Sequence, residues 1–133
     1  MKKTTRKPAK RRPITAEDLY NLRIPTSVAM SPDETKIAYT VERMDEKEKK
    51  YFSNVYIFDL NTRQTRQFTY GNQSDTQPVW SPTGEHLAFI SVRDKKTGLY
   101  IIPSTGGAER KLIEVDGSIS SLDWSPDEKL LVF

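Results

Sequence analysis

Polar and apolar residues alternate along most of this chain with a period of two. "TKIAYTVER" places Ile37, Tyr39 and Val41 on one side. "SNVYIFDL" sets Val55, Ile57 and Asp59 against Tyr56, Phe58 and Leu60. "TRQFTY", "QPVW", "HLAFISV", "GLYIIPS", "RKLIEV" and "SSLDW" are further short runs rich in β-branched and aromatic residues. Turn-forming clusters bound them: "SPDE", "GNQSD", "SPTG", "STGG" and "DGS". This pattern predicts a body built of short strands. Only "ITAEDLYNLR" departs from it. Thr15 is placed as an N-cap, Glu17 and Asp18 fall in a first turn, and Leu19 and Leu22 form a narrow apolar edge that Pro25 ends. It predicts a short helix within 14–25.

One phrase occurs three times: "MSPDETKIAYT" at 30–40, "WSPTGEHLAFI" at 80–90 and "WSPDEKLLVF" at 124–133. Its centre is a type I turn, in which Ser81 bonds back to the backbone, Pro82 fixes φ and Gly84 suits the fourth position. Glu34 and Glu128 replace that glycine in the other copies, and Met30 stands where they carry Trp80 and Trp124. Ser31 to Ser81 is 50 residues and Ser81 to Ser125 is 44; Val55 to Leu99 and Thr65 to Glu109 are also 44 apart. The extra six residues of the first unit lie in the charged stretch "RMDEKEKKYFS", which is expected to project as an extended hairpin or loop.

A four-stranded unit repeating every 40–45 residues is the arithmetic of a β-propeller blade. One such sheet cannot bury both faces, whereas a ring of about four to eight blades covers them. The expected fold class is therefore all-β, a partial β-propeller of two four-stranded blades plus the first hairpin of a third, with a short N-terminal helix. The expected organisation is a disordered basic tail at 1–13, the helix at 14–25, blade one at 26–75, blade two at 76–118 and a truncated third blade at 119–133.

Composition adds limits. The 133 residues contain no cysteine, so neither a disulfide framework nor a thiolate metal site is available. No apolar run approaches a membrane-spanning length, and no apolar h-region follows the basic N-terminus, which sets the expectation of a cytoplasmic protein without membrane contact. Lys2, Lys3, Arg6, Lys7, Lys10, Arg11 and Arg12 supply the positive charge. Without these seven the chain has 14 basic against 18 acidic residues, a net of −4, compared with +3 for the whole. No basic or stacking face continues into the body, so nucleic acid is not an expected partner.

Candidate chemistry is sparse. A nucleophile elbow needs G-x-S-x-G; "GSISS" at 117–121, which holds Ser120, lacks the second glycine and leads into a strand. The single histidine, His86, occupies the slot filled by Lys36 and Lys129 and reads as an exposed strand-start residue. Asp45, Glu46 and Glu48 alternate with lysines in a solvated charge run. Trp80 and Trp124 are expected to pack blade against blade. No catalytic, cofactor-binding or metal residue is assigned, no cofactor is expected, and the chain by itself is expected to be catalytically inactive.

"TAEDLYNLR", the first unit with its charged insert, "YFSNVYIFDL", "PVWSPTGEHLAFIS", "LYIIPSTGGAERKL" and "WSPDEKLLVF" together resemble the N-terminal propeller of the prolyl oligopeptidase family. The acylaminoacyl-peptidase and dipeptidyl-peptidase-like branch is the nearest, over Ile14 to Phe133. The resemblance implies a serine peptidase in which a propeller caps a C-terminal α/β-hydrolase domain and restricts entry to short peptides. The expected partners are then the remaining blades and the hydrolase domain of the same protein, with short peptides as substrates. The alternative is a non-enzymatic propeller like that of the Tol system, serving as a protein-binding scaffold.

Overall fold

A computed structural model describes residues 11–133. Most of the expected basic tail, from Met1 to Lys10, lies outside the described residues. Arg12, at its end, donates to both Asp18 carboxylate oxygens. The helix is shorter than expected and of the 3-10 kind, Ala16–Asn21. Thr15 holds the N-cap position, and its amide donates to Asp18 Oδ2 at 2.8 Å. Leu22 is already extended, and the chain enters its first strand at Ile24, which the following Pro25 holds in the extended region.

Ten strands follow. The first group is β1 (Ile24–Met30), β2 (Lys36–Asp45), β3 (Lys50–Asp59) and β4 (Gln64–Gln67). The second is β5 (Ser74–Trp80), β6 (His86–Arg93), β7 (Lys96–Pro103) and β8 (Arg110–Val115). A last hairpin joins β9 (Asp123–Trp124) to β10 (Leu131–Val132). Neighbours within each group are antiparallel. A single parallel pair, Ser53 with Ser74, stitches β3 to β5 and joins the two four-stranded blades. The charged insert of the first unit is an extension of the β2–β3 hairpin, paired as far as Asp45 and Lys50. Its tip is tied back to the helix, because Lys49 Nζ lies 4.7 Å from the Tyr20 ring centroid and donates to the Tyr20 hydroxyl at 2.7 Å.

The three Ser-Pro turns are built alike. The fourth residue donates its amide to the serine carbonyl in each: Glu34 to Ser31 at 2.9 Å, Gly84 to Ser81 at 2.8 Å and Glu128 to Ser125 at 3.0 Å. That fourth residue is left-handed in all three, with φ of 57°, 76° and 58°. Each serine Oγ also accepts from an amide five residues on, that of Lys36, His86 or Leu130. The counterpart of Lys36 and His86 in the third copy is therefore Leu130, one residue beyond the expected Lys129. A second repeated device bends the first strand of each complete blade. Ser27 and Gln77, again 50 apart, take left-handed φ of 43° and 50°, and the pairing register shifts there.

The core lies between blades. Ala38, Val55, Ile57 and Phe68 of blade one meet Trp80, Leu87, Phe89, Tyr100 and Ile102 of blade two. Ala88, Ile90 and Leu99, on the opposite side of blade two, meet Ile119 and Leu122. The face of β2 that faces blade two carries Ala38 and Thr40, both 0% exposed. The alternation Ile37, Tyr39 and Val41, read as the apolar side, lies on the other face and is half-buried. There Tyr39 stacks on Tyr56 with centroids 5.9 Å apart. Blade faces are apolar on both sides, so the neighbour and not the local pattern decides which is buried.

Candidate functional site: the blade junction

The junction between the blades holds most of the distinctive side-chain geometry of the molecule. At its centre is Asp75, near the start of β5, whose side chain is 0% exposed. The pattern "GNQSD" reads as a turn; the structure instead extends β5 back to Ser74 and buries Asp75 in it. Ser91 Oγ donates to Asp75 Oδ1 at 2.6 Å, and Thr69 Oγ1 donates to Oδ2 at 2.5 Å. Thr69 Oγ1 in turn accepts the Val55 amide at 2.8 Å, and Ser53 Oγ donates to the Asp75 carbonyl at 2.7 Å. One carboxylate thus links β3 and the strand-free residue Thr69 of blade one to β5 and β6 of blade two. Burial pushes the Asp75 carboxyl up from its ordinary value; the Ser91 and Thr69 hydroxyls, Arg93 and Gln73 oppose that rise.

Arg93 closes the cluster from the solvent side. Its Nε donates to Ser91 Oγ at 2.9 Å, one terminal nitrogen pairs with Glu109 at 2.5 Å, and the other sits 3.9 Å from Asp75. The guanidinium carbon lies 4.0 Å from the Tyr100 ring centroid. The arrangement has acceptors and donors but no nucleophile-base pair, and its hydroxyls are spent on one carboxylate. Its chemistry is that of a structural lock.

Two further links recur from blade to blade. Trp80 is buried, and its indole N–H donates to the Ala29 carbonyl at 3.1 Å; Trp124 does the same to Val79 at 3.3 Å. Both tryptophans therefore pack blade on blade, as their repeat position suggests. On the rim formed by the Ser-Pro turns, the Thr83 amide donates to Glu128. On the same rim a cleft of about 470 Å³ opens between the blades, lined by residues that include Lys36, Ile57, Asp59, Arg66, Phe68 and Thr105.

The residues weighed for chemistry do not converge. His86 begins β6 opposite Pro103, and its amide is committed to Ser81. Ser120 is exposed, and its carbonyl accepts from Gln77 Nε2 at 3.3 Å. Among the described residues no hydrogen bond joins the two. Asp45 caps its own hairpin turn by accepting the Lys47 and Glu48 amides. Asp75 and Arg93 escaped the sequence reading. The repeat carried no signal for Asp75, because Pro25 stands 50 residues before it and Ile119 stands 44 residues after it.

Blades stacked by repeated indole staples around a buried carboxylate define a β-propeller segment. Residues 14–133 match the TolB beta propeller domain family, and the chain belongs to that family. It is 37% identical over 121 residues to the uncharacterized peptidase YuxL of Bacillus subtilis (strain 168), covering 90% of this chain and 18% of that relative. Its fold is shared with the acylaminoacyl peptidase of Pyrococcus horikoshii, at a TM-score of 0.71 and 18% identity over 84% of this chain and 17% of that one. It is shared also with the β-propeller domain of the Trilobed protease of Pyrococcus furiosus, at 0.68 and 22% over 82% and 32%. The chain is thus a propeller segment of the kind carried by peptidase-family proteins, and it spans under a fifth of the length of its curated peptidase relative.

Proposed function

We propose that this segment belongs to the propeller of a serine peptidase of the acylaminoacyl or dipeptidyl type, where it restricts access of peptides to an α/β-hydrolase domain of the same protein. The observation that carries the reading is the stacking of two complete blades through Trp80 and the Asp75 lock, in a chain 37% identical to a peptidase over 121 residues. Rigid blade junctions are what a size filter needs. A ring that holds its bore admits short, flexible peptides and rejects folded chains, and closure from water favours the chemistry within.

In this reading the residues of the segment position and exclude; none of them touches the reacting atoms. The partners are the other blades and the hydrolase domain, the substrates are short peptides, and the protein works in the cytoplasm, for which the cysteine-free sequence is the support.

The reading frame that contains residues 1–133 provides the first test. A G-x-S-x-G and a late histidine beyond further blades support the proposal, and a frame that closes after the last blade ends it. In the full-length protein, Trp80→Ala is expected to raise cleavage of long peptides relative to a small chromogenic ester. An unchanged ratio in a folded variant counts against a filtering role.

A further inference from the structure

The two complete blades differ most where β2 turns into β3 and β6 into β7. Arg43 pairs with Phe52 where Arg93 pairs with Lys96, and the repeat offsets of 50 and 44 make these pairs counterparts. Beyond them blade one has eight residues, Met44 to Tyr51, and blade two has two, Asp94 and Lys95. The six-residue surplus therefore lies entirely in this extension. The body braces it. Arg43 donates to the Gly71 carbonyl at 3.2 Å and to Asn72 Oδ1 at 2.7 Å, and Asn72 Nδ2 donates to Glu48 Oε1 at 3.2 Å. Asp45 accepts the Lys47 and Glu48 amides, which fixes the turn that carries Lys49.

The short helix Ala16–Asn21 is seated on this extension. Leu19 and Leu22 share a shallow notch with Met44 and Tyr51, and Tyr20 meets Lys49 through both its ring and its hydroxyl. Among the described residues, β2 is the one strand whose backbone comes close to the helix. Other side-chain bonds of the segment close within it: Arg12 with Asp18, and Arg23 with the Tyr20 and Leu22 carbonyls. No helix residue is buried, and Leu19 and Leu22 stay 45% and 48% exposed. Six residues of 3-10 helix do not persist alone, because nucleation costs more than so few bonds return. Their order depends on the seat.

We propose that residues 14–23 form a detachable strap, which folds on the blade-one extension and leaves it by local opening while the blades stay closed. The braced extension is the rigid half of the pair. The strap is the labile half, since few apolar contacts hold it. Undocking uncovers Met44 and Tyr51 at the end of β2 remote from its Ser-Pro turn. The contact of Lys49 with Tyr20 is the polar catch, and its loss speeds release without touching a blade junction.

Amide exchange in the isotope-labelled 133-residue chain tests the strap. The Leu22 amide, bonded to the Leu19 carbonyl at 3.2 Å, reports on it; the Phe68 amide, bonded to the Val55 carbonyl at 2.8 Å, reports on the blades. Leu22 is expected to show measurable protection, at least about 100-fold below that of Phe68. Its exchange is expected to respond little to low urea, since local opening exposes little surface. Replacing Met44 to Tyr51 with Asp-Lys, the turn of blade two, is expected to abolish protection at Leu22 and leave Phe68 protected. Lys49→Met keeps the aliphatic stem and loses the charge and the donor; it is expected to lower Leu22 protection about fivefold. Tyr20→Phe keeps the ring and is expected to lower it about twofold. If the shortened hairpin unfolds the chain, the two point variants carry the test. The proposal is overturned by an unprotected Leu22 in the wild type, or by protection and urea dependence at Leu22 equal to those at Phe68. Leu22 protection unchanged in Lys49→Met, or in a folded chain with the shortened hairpin, overturns it equally.

Discussion

The indole nitrogen of Trp80, the last residue of β5, donates across the blade boundary to the carbonyl of Ala29, the next-to-last residue of β1. Trp124 repeats the bond to Val79, one blade on. The residue before each tryptophan position is thus the acceptor for the following blade's tryptophan. This bond fixes the height of one blade against the next, while the ring itself fills the junction core beside Leu87 and Phe89.

Trp80→Phe keeps most of the packing and deletes the staple, so the expected loss is about 1 kcal/mol in urea denaturation. Trp80→Ala empties the junction and is expected to cost about 3–5 kcal/mol. Trp124, half-buried against a two-stranded hairpin, is expected to cost less in both variants. Equal losses at the two sites would contradict the burial difference.

Glu34 and Glu128 occupy the same left-handed turn position, and glycine there is expected to differ between them. At Glu34 the left-handed φ of 57° costs a non-glycine residue about 1 kcal/mol, so Glu34→Gly is expected to stabilise the protein in thermal unfolding. At Glu128 the carboxylate also receives the Thr83 amide from the neighbouring blade. Glu128→Gly removes that link, and its net effect is expected to be smaller than that of Glu34→Gly or of opposite sign.

Asp75→Ala leaves Ser91, Thr69 and Arg93 facing a buried void, and the expected loss is about 3 kcal/mol. Asp75→Asn tests the charge. The carboxyl is raised above its ordinary value by burial, so its stability contribution is complete below about pH 4 and falls as pH rises through the folded-state value. Wild-type stability relative to Asp75→Asn is therefore expected to decline as pH rises above about 4, as measured by denaturation at a series of pH values.

Asp33 moves the other way. Bonds from the Ser31 hydroxyl, the Thr35 hydroxyl and the Thr35 amide lower its pKa to about 2. Its contribution is present above the ordinary carboxylate value and is lost as pH falls from about 4 towards 2. Asp33→Asn is expected to flatten the acid limb of the stability profile over that range and to lower stability at neutral pH, the two proteins converging as pH approaches 2.

What the sequence determined was everything set by local chemistry. A period of two specifies strands, Ser-Pro-x-x specifies the turn between them, and the recurrence of both every 44 to 50 residues specifies blades. Even the surplus of the first unit was legible as a solvent-projecting hairpin or loop, because charged residues flanked by alternating runs have no core to enter; the pairing of Asp45 with Lys50 made it a hairpin. What only the tertiary structure decided was the use made of each face. Ala38 and Thr40 are buried while Ile37 and Tyr39 are not, Asp75 is enclosed, and Lys36 and Arg66 meet at one opening. The physical reason is that a blade offers an apolar surface on both sides. Burial, and with it the titration of a carboxylate or the depth of a cleft, is then fixed by the blade that stacks against it, whose residues lie some 50 positions away along the chain.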